Sequence, residues 1–156
     1  MKLSDFIVAE AIIPELQSTD RNGVIRELVE SLKKYGKVAA GDVEAIVRAV
    51  IQRENQGSTG FGKGVAVPHA KHSAAKKMVA TIGRSSAGVD FAALDRAPVY
   101  SVVLLLSPQD HPDEHLQAME SIFRHLQQDN FRRFLRQADS VEAIVDLIEE
   151  ADGSPS

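Results

Sequence analysis

A chain of 156 residues, 44% of them apolar and 26% charged, is long enough to form one globular domain with its own core. Its formal net charge of −4 argues against a nucleic-acid partner, because such binding rests on many cations that neutralise phosphates. The absence of cysteine excludes disulfides, cysteine-ligated zinc and thiol catalysis. Acidic residues interrupt the apolar N-terminal segment, which predicts neither a signal peptide nor a membrane span, and we expect a cytoplasmic protein.

Two amphipathic helices are predicted near the N-terminus. The first begins near Asp20 and stops at Gly36, and the second begins near Asp42. Their apolar positions recur at helical spacing: Val24, Ile25, Leu28, Val29 and Leu32, then Val43, Ile46, Val47, Val50 and Ile51. Arg53 extends the apolar face of the second helix at its C-terminal end, where a cation is favourable.

A glycine-rich loop and several strands follow. The loop covers residues 57–64 and leads into a short apolar strand over residues 65–67, which Pro68 and His69 end. Further strands are predicted over residues 77–83, 88–91 and 99–106. The last of these is apolar enough to be central in its sheet.

Three helices are predicted in the remainder of the chain. Pro112 suits the first turn of one helix, a shorter helix follows, and the last begins near Ser140. Their expected inward-facing residues are Leu116, Met119, Phe123 and Leu126, then Phe131, Phe134 and Leu135, then Val141, Ile144, Val145 and Ile148. Helices, strands and helices in this order predict an α/β fold (α+β in some classifications), a three-layer α/β/α sandwich with a mixed sheet over residues 1–150. A flexible C-terminal tail is expected over residues 151–156.

The glycine-rich loop resembles a nucleotide phosphate loop but departs from it in two ways. Gly64 replaces the serine or threonine that would bind magnesium, and the loop runs from a helix into a strand rather than the reverse. Its glycines still allow backbone N–H groups to converge on an anion, although a plain flexible connection is the alternative. The candidate phosphate-binding residues are Thr59, Gly60, Gly62 and Gly64.

Three residues could form a site for a phosphoryl group. His69 lies where the chain must turn, and His115 borders the apolar face of its helix in the first turn, where the helix dipole favours a neutral imidazole. His69 would act as the nucleophile, Arg53 as a cationic clamp and His115 as a second polar wall. A buried histidine at the edge of the core is the alternative for His115.

Other uses of the polar residues are less well supported. His72, His111 and His125 are expected on the solvated surface. Their spacing relative to His69 and His115 matches no zinc-binding helix, so no metal and no cofactor is predicted. The basic stretch over residues 131–136 places its aromatic residues inward and its arginines outward, which indicates a solvated helix face.

The stretch from Arg53 to Ala70, with Gly57-Ser-Thr-Gly-Phe-Gly and Val-Pro-His69, resembles the signature of enzyme IIA domains of the bacterial sugar phosphotransferase system. The similarity is to the fructose–mannitol and nitrogen-regulatory branch, and residues 89–95 and 114–116 also resemble it. The resemblance implies a three-layer α/β/α fold and a phosphorylated His69 beside Arg53 and His115. Lys63, where asparagine is common, and Ala70, where glycine is common, depart from the pattern.

The resemblance also implies partners. The donor would be the phosphocarrier protein HPr or its nitrogen-branch counterpart, and the acceptor a IIB domain during sugar uptake. With no IIB or IIC portion in the sequence, we expect the chain to act as a separate protein. A regulatory protein whose His69 phosphorylation controls binding to other proteins is one alternative. A scaffold that has lost phosphotransfer is another, and the presence of Arg53, His69 and His115 together weighs against it.

Overall fold

The computed structural model describes residues 1–153, which form a sheet between two helical layers. The helices are α1 (Arg21–Lys34), α2 (Val43–Gln56), α3 (Pro112–Leu126), α4 (Asp129–Gln137) and α5 (Val141–Gly153). The strands are β1 (Val65–Ala66), β2 (His69–Lys71), β3 (Val79–Val89) and β4 (Val99–Ser107). Short 3₁₀ turns cover Leu3–Asp5, Ala9–Ala11 and Ala40–Asp42. No helix within the described residues combines the length and the apolarity needed to cross a bilayer.

The predicted ends of the first two helices are confirmed. The carboxylate of Asp20 accepts a hydrogen bond from the Gly23 N–H at 2.6 Å, which caps the start of α1. Gly36 adopts a φ of +76° just after α1, a left-handed conformation that stops the helix at little cost for glycine. Helix α2 begins directly after Asp42.

Strand β4 is the centre of a mixed sheet. Strands β1 and β2 pair with one edge of β4 in parallel, and β3 pairs with its other edge in the antiparallel direction. Ala66 pairs with Val102 and His69 with Leu105, so β1 and β2 keep one register across the gap between them. The gap lies at Pro68, which has no N–H to donate to the ladder.

Apolar side chains cover both faces of this sheet. One cluster joins the buried faces of α1 and α2 to one face of β4, through residues such as Leu28, Val50 and Leu104. The second cluster joins α3, α4 and α5 to the opposite face, through residues such as Ile122 and Leu105. The prediction of a three-layer α/β/α sandwich with a mixed sheet is therefore confirmed.

Two strand predictions were wrong in detail. His69 does not end a strand but begins β2, because pairing with β4 resumes immediately after Pro68. The runs over residues 77–83 and 88–91 are not separate strands. Strand β3 extends to Val89, which pairs with Val99 after a register shift, and this irregularity resembled a strand end in the sequence.

Some residues of the apolar stripes predicted for α3 and α4 lie outside the core, although Leu126, Phe131 and Leu135 are buried as predicted. Helix α3 buries His115, Ala118, Ile122 and Leu126, whereas Leu116 is 60% exposed. In α4, Phe131 and Leu135 are buried, but Phe134 is 49% exposed. Leu116 and Phe134 therefore lie at the protein surface, although the periodicity of the sequence predicted them in the core.

The C-terminal helix continues past residue 150. Helix α5 ends at Gly153, and the carboxylate of Asp152 accepts hydrogen bonds from the N–H groups of Leu3 at 2.7 Å and Ser4 at 3.0 Å. The tail predicted to begin at residue 151 is therefore helical over its first three residues, because Asp152 ties the helix to the N-terminus. Residues 154–156 lie outside the described residues.

Candidate functional site

His69 is the first residue of β2, and its ring is fixed by the backbone just before it. The Nδ1 atom lies 2.9 Å from the carbonyl oxygen of Val67. Because a carbonyl oxygen can only accept a hydrogen bond, Nδ1 carries the proton of the neutral ring. The Nε2 atom then keeps a lone pair and is the nucleophilic atom of this imidazole.

The surroundings of His69 keep its ring neutral. The pKa of His69 is lowered, mainly because burial disfavours the charged form, and the positive charges of Arg53 and Lys71 act in the same direction. The Val67 carbonyl and the Glu54 carboxylate oppose this shift. A larger fraction of His69 is therefore unprotonated at neutral pH than for a free histidine.

His115 lies in the first turn of α3 and faces His69. The centres of the two rings are 5.5 Å apart, and the ring planes are tilted by 49°. His115 is only 6% exposed, and its Nδ1 atom lies 2.7 Å from the hydroxyl oxygen of Ser107 at the end of β4. Burial, followed by repulsion from His69 and Lys71, lowers the pKa of His115 to about 4. His115 is therefore a neutral hydrogen-bonding group at physiological pH.

Arg53 supplies the positive charge of the site from the last turn of α2. Its Nη1 atom donates a hydrogen bond of 2.8 Å to the carbonyl oxygen of Gly57, which holds the half-buried side chain at the end of the helix. A guanidinium has five N–H donors, so this bond leaves most of them available to an anion. The structure thus brings together the three residues that the sequence singled out.

A cleft of about 730 Å³ contains these three side chains. Its other lining residues are Ala49, Gln52, Gln56, Ala70, Lys71, Leu116, Met119 and Phe123. Sequence reasoning missed the polar members of this set. Gln52 and Gln56 could have been found because they flank Arg53 on α2, and Lys71 because strand alternation places it on the same side as His69.

The structure places the glycine-rich loop outside the cleft that contains His69. The buried carboxylate of Glu54 accepts hydrogen bonds from both the N–H and the hydroxyl of Thr59, so the donors of Thr59 are already used. Gly62 and Gly64 have φ values of +107° and +78° and form the turn that starts β1. Thr59, Gly60, Gly62 and Gly64 are all described residues, and none of them lines the cleft that contains His69. Their assignment as phosphate-binding residues is therefore not supported by the geometry.

The remaining histidines lie outside the cleft. His111 is exposed, as predicted, and His72 is half-buried with its Nδ1 accepting from the Ala74 N–H at 3.0 Å. His125 was expected on the surface but is 8% exposed, because its ring packs against Phe131 with the ring centres 5.5 Å apart, and its Nδ1 atom bonds the Ser121 carbonyl at 2.8 Å. Residues 1–153 contain no cluster of three metal-binding side chains.

Comparison with known proteins identifies the family. Residues 5–151 match the family model for the phosphoenolpyruvate-dependent sugar phosphotransferase system, EIIA 2. The chain is 34% identical over 97% of its length to the fructose-specific EIIABC component of Bacillus subtilis, and it spans 24% of that protein. It is 30% identical over 95% of both chains to the nitrogen regulatory protein of Bradyrhizobium diazoefficiens and to the fructose-specific EIIA component of Haloferax volcanii.

Solved structures agree with this result. The nitrogen regulatory protein IIA-Ntr from Neisseria meningitidis superposes with a TM-score of 0.83 at 25% identity, covering 94% of this chain and 98% of that one. The IIA mannitol domain from Escherichia coli shares the fold, with a TM-score of 0.75 at 24% identity, covering 90% of this chain and 97% of that one. The chain therefore belongs to the EIIA 2 family of the phosphoenolpyruvate-dependent sugar phosphotransferase system, whose members are phosphotransferase components.

Proposed function

We propose that this chain carries a phosphoryl group on Nε2 of His69. The group would arrive from the phosphohistidine carrier HPr, or from its nitrogen-branch counterpart, and would leave to a IIB domain during sugar uptake in the cytoplasm. The hydrogen bond between Nδ1 of His69 and the Val67 carbonyl is the observation on which this proposal rests. It leaves one nitrogen free to attack, on a ring that burial keeps neutral.

The transfer step needs no separate base. The Nε2 lone pair attacks the phosphorus atom of the carrier's phosphohistidine, a new N–P bond forms, and the carrier's N–P bond breaks with its electron pair returning to the carrier's ring. The proton on Nδ1 stays in its bond to Val67 throughout. Positioning and charge stabilisation therefore provide the catalysis, as in phosphoryl transfer generally.

Arg53 and His115 would stabilise the transferring group in different ways. Arg53 offers a permanent positive charge and a planar set of donors to the phosphoryl oxygens. His115 offers a neutral N–H donor only if its Nε2 carries the ring proton. In that tautomer Nδ1 accepts from the Ser107 hydroxyl, and the 2.7 Å distance between these atoms fits such a bond.

The rim of the cleft suits contact with another protein. Leu116 is 60% exposed, and with Met119 and Phe123 it forms an apolar border beside His69. Such a border excludes water when a partner docks, which strengthens the interactions of the phosphoryl group and protects it from hydrolysis. We propose that carrier and acceptor both dock on this border.

The test is phosphotransfer from phosphorylated carrier proteins, followed by mapping of the modified nitrogen. We expect an acid-labile adduct on Nε2 of His69 that passes to a IIB domain. The Arg53→Gln variant should slow the transfer by about 100-fold or more, as loss of a charge-stabilising donor does elsewhere. His72→Ala, which changes a histidine three residues further along, should transfer at the wild-type rate. A His69→Ala variant that still acquires the adduct would refute the proposal.

A regulatory function is the second candidate. One relative and one solved structure that match this chain over nearly their full length are nitrogen regulatory proteins. Here the phosphoryl group on His69 would act as a signal. Its negative charge, added beside the apolar border, would alter which proteins bind there. Capture of partners by phosphorylated and unphosphorylated protein should then give different sets. Identical sets, together with efficient transfer to a IIB domain, would favour the transport function.

A further inference from the structure

A second group of charged side chains lies away from the His69 cleft, around a hollow of about 590 Å³. We name it the basic hollow. Five cations line it: Lys63, Arg84, Arg132, Arg133 and Arg136. Among the described residues that line it, Asp129 is the only acidic one, in a chain whose net charge is −4. The arginines of α4 lie on an outward face, as predicted, and this face borders the hollow.

Three separate elements build the basic hollow. Lys63 belongs to the turn before β1, Arg84 to β3, and the remaining arginines to α4. The Nε–H of Arg84 donates to the carbonyl oxygen of Arg136 at 2.7 Å, which fixes β3 against the end of α4. Arg84 pairs with Ser101 of β4, whereas His69 pairs with Leu105. Ser101 and Leu105 are four residues apart, about 13 Å along β4, so the hollow is distinct from the His69 cleft.

Much of the positive charge in the hollow has no acidic partner. Arg132 is paired with Asp129 and also donates to the Leu126 carbonyl at 2.7 Å, so it is largely occupied. Within residues 1–153, neither the ammonium group of Lys63 nor the guanidinium group of Arg136 forms a salt bridge or a hydrogen bond. Clustered cations that lack counter-charges repel one another, and a bound anion would relieve that repulsion.

Arg136 is held in place without using its donors. Its guanidinium carbon lies 3.6 Å from the centre of the Tyr100 ring, so the ring restrains the guanidinium while its N–H groups stay free. Tyr100 also lines a smaller adjoining hollow of about 250 Å³, which shares Lys63, Arg132 and Arg136 with the basic hollow. Asp95 borders this smaller hollow, but its carboxylate already accepts from the N–H groups of Lys63 and Ala97.

Two adjoining hollows that share three cations fit an anion with two linked charged groups. We propose that the basic hollow binds a diphosphate group, either as free pyrophosphate or within a nucleoside diphosphate. Lys63 and Arg136 contact it through their free donors, and Arg84 and Arg133 add charge at its border. Diphosphate recognition here is independent of the phosphoryl transfer proposed at His69.

Equilibrium dialysis of the intact protein with radiolabelled pyrophosphate tests this assignment, with orthophosphate and ADP as competitors. Pyrophosphate should bind about tenfold or more tightly than orthophosphate, because two charged groups engage more cations than one. ADP should compete about as well as unlabelled pyrophosphate, because both present the same group. Orthophosphate that competes as well as unlabelled pyrophosphate, or ADP that does not compete, would overturn the proposal.

Matched substitutions locate the site. Lys63→Gln and Arg136→Gln should each weaken pyrophosphate binding by about tenfold. The controls Lys37→Gln and Arg48→Gln remove exposed cations elsewhere and should leave binding unchanged. Binding that is lost in Arg53→Gln but retained in Arg136→Gln would place the anion in the His69 cleft and refute the assignment.

Tyrosine emission gives a second, independent measure of location. The chain has two tyrosines and no tryptophan, so in the Tyr35→Phe variant Tyr100 is the only strongly emitting residue. Pyrophosphate that contacts Arg136 changes the stacking on Tyr100 and hence its emission. We expect the emission change to follow the dialysis isotherm. Saturating pyrophosphate that leaves this emission unchanged would contradict the proposed position even if the substituted proteins failed to fold.

Discussion

Replacing His115 with asparagine should make the stability of the protein less sensitive to acid. The pKa of His115 is about 4 in the folded chain, against about 6.5 for an exposed histidine. Between these values the unfolded chain binds a proton at this position and the folded chain does not. Proton uptake then stabilises the unfolded state, so the free energy of unfolding falls as the pH drops from 6.5 towards 4.

The size of the effect follows from the two pKa values. Protonation of His115 lowers the free energy of unfolding by about 3 kcal/mol once the pH is below both pKa values. About 2 kcal/mol of this loss occurs between pH 8 and pH 5. The conversion is justified because His115 is only 6% exposed, which limits screening by solvent. Asparagine does not titrate, and its side-chain amide can still bond the Ser107 hydroxyl.

Urea unfolding of wild-type and His115→Asn protein at several pH values measures this directly. The free energy of unfolding of the wild type, minus that of the variant, should fall by about 2 kcal/mol from pH 8 to pH 5. His111→Asn, at an exposed position just before the same helix, controls for the loss of an imidazole. A wild-type-minus-variant difference that stays constant across this range would show that burial does not hold His115 neutral.

Three further predictions concern buried groups near the sheet. Thr81 has a buried hydroxyl that finds no hydrogen-bond partner among the described residues, so Thr81→Val should raise the free energy of unfolding by about 1 kcal/mol. The control Thr59→Val removes a bonded hydroxyl and should lower the free energy of unfolding. Ser107→Ala should slow phosphotransfer by about tenfold while Ser107→Thr retains the wild-type rate, because the hydroxyl selects the tautomer of His115. Phosphorylation of His69 should raise the pKa of His115, since a nearby dianion favours the protonated ring. NMR titration of the His115 ring protons checks this, and an unchanged titration would place the phosphoryl group out of reach.

Local sequence patterns predicted much of the helix–strand framework and selected three side chains that lie together in one cleft. The ends of α1 depend on Asp20 and Gly36, which act on residues within one turn of themselves. The apolar run of β4 is unambiguous because both of its faces are buried. Arg53 and His115 could be chosen because each borders the apolar face of its own helix.

The remaining features depend on contacts between residues that are distant in the sequence. The basic hollow brings Lys63 and Arg84 together with α4, and no pattern within one element reveals that convergence. The bond between Thr59 and Glu54 was missed although the two residues are close in sequence, because one ends a helix and the other lies in a loop that has no regular period. Leu116 was assigned to the core because periodicity cannot distinguish an apolar residue that packs inside from one that borders a cleft.

The proposal that Nε2 of His69 carries the phosphoryl group rests on the edge position of the strand that His69 begins. The Pro68 carbonyl accepts from the Leu105 N–H at 3.0 Å and so points towards β4. Because successive carbonyl groups along a strand point in opposite directions, the Val67 carbonyl points away from β4 and is free to accept from Nδ1 of His69. Substitutions of Arg53 or His115 leave this backbone bond in place. These substitutions should therefore change the rate of phosphoryl transfer and the stability of the phosphohistidine, but the phosphoryl group should still be found on Nε2.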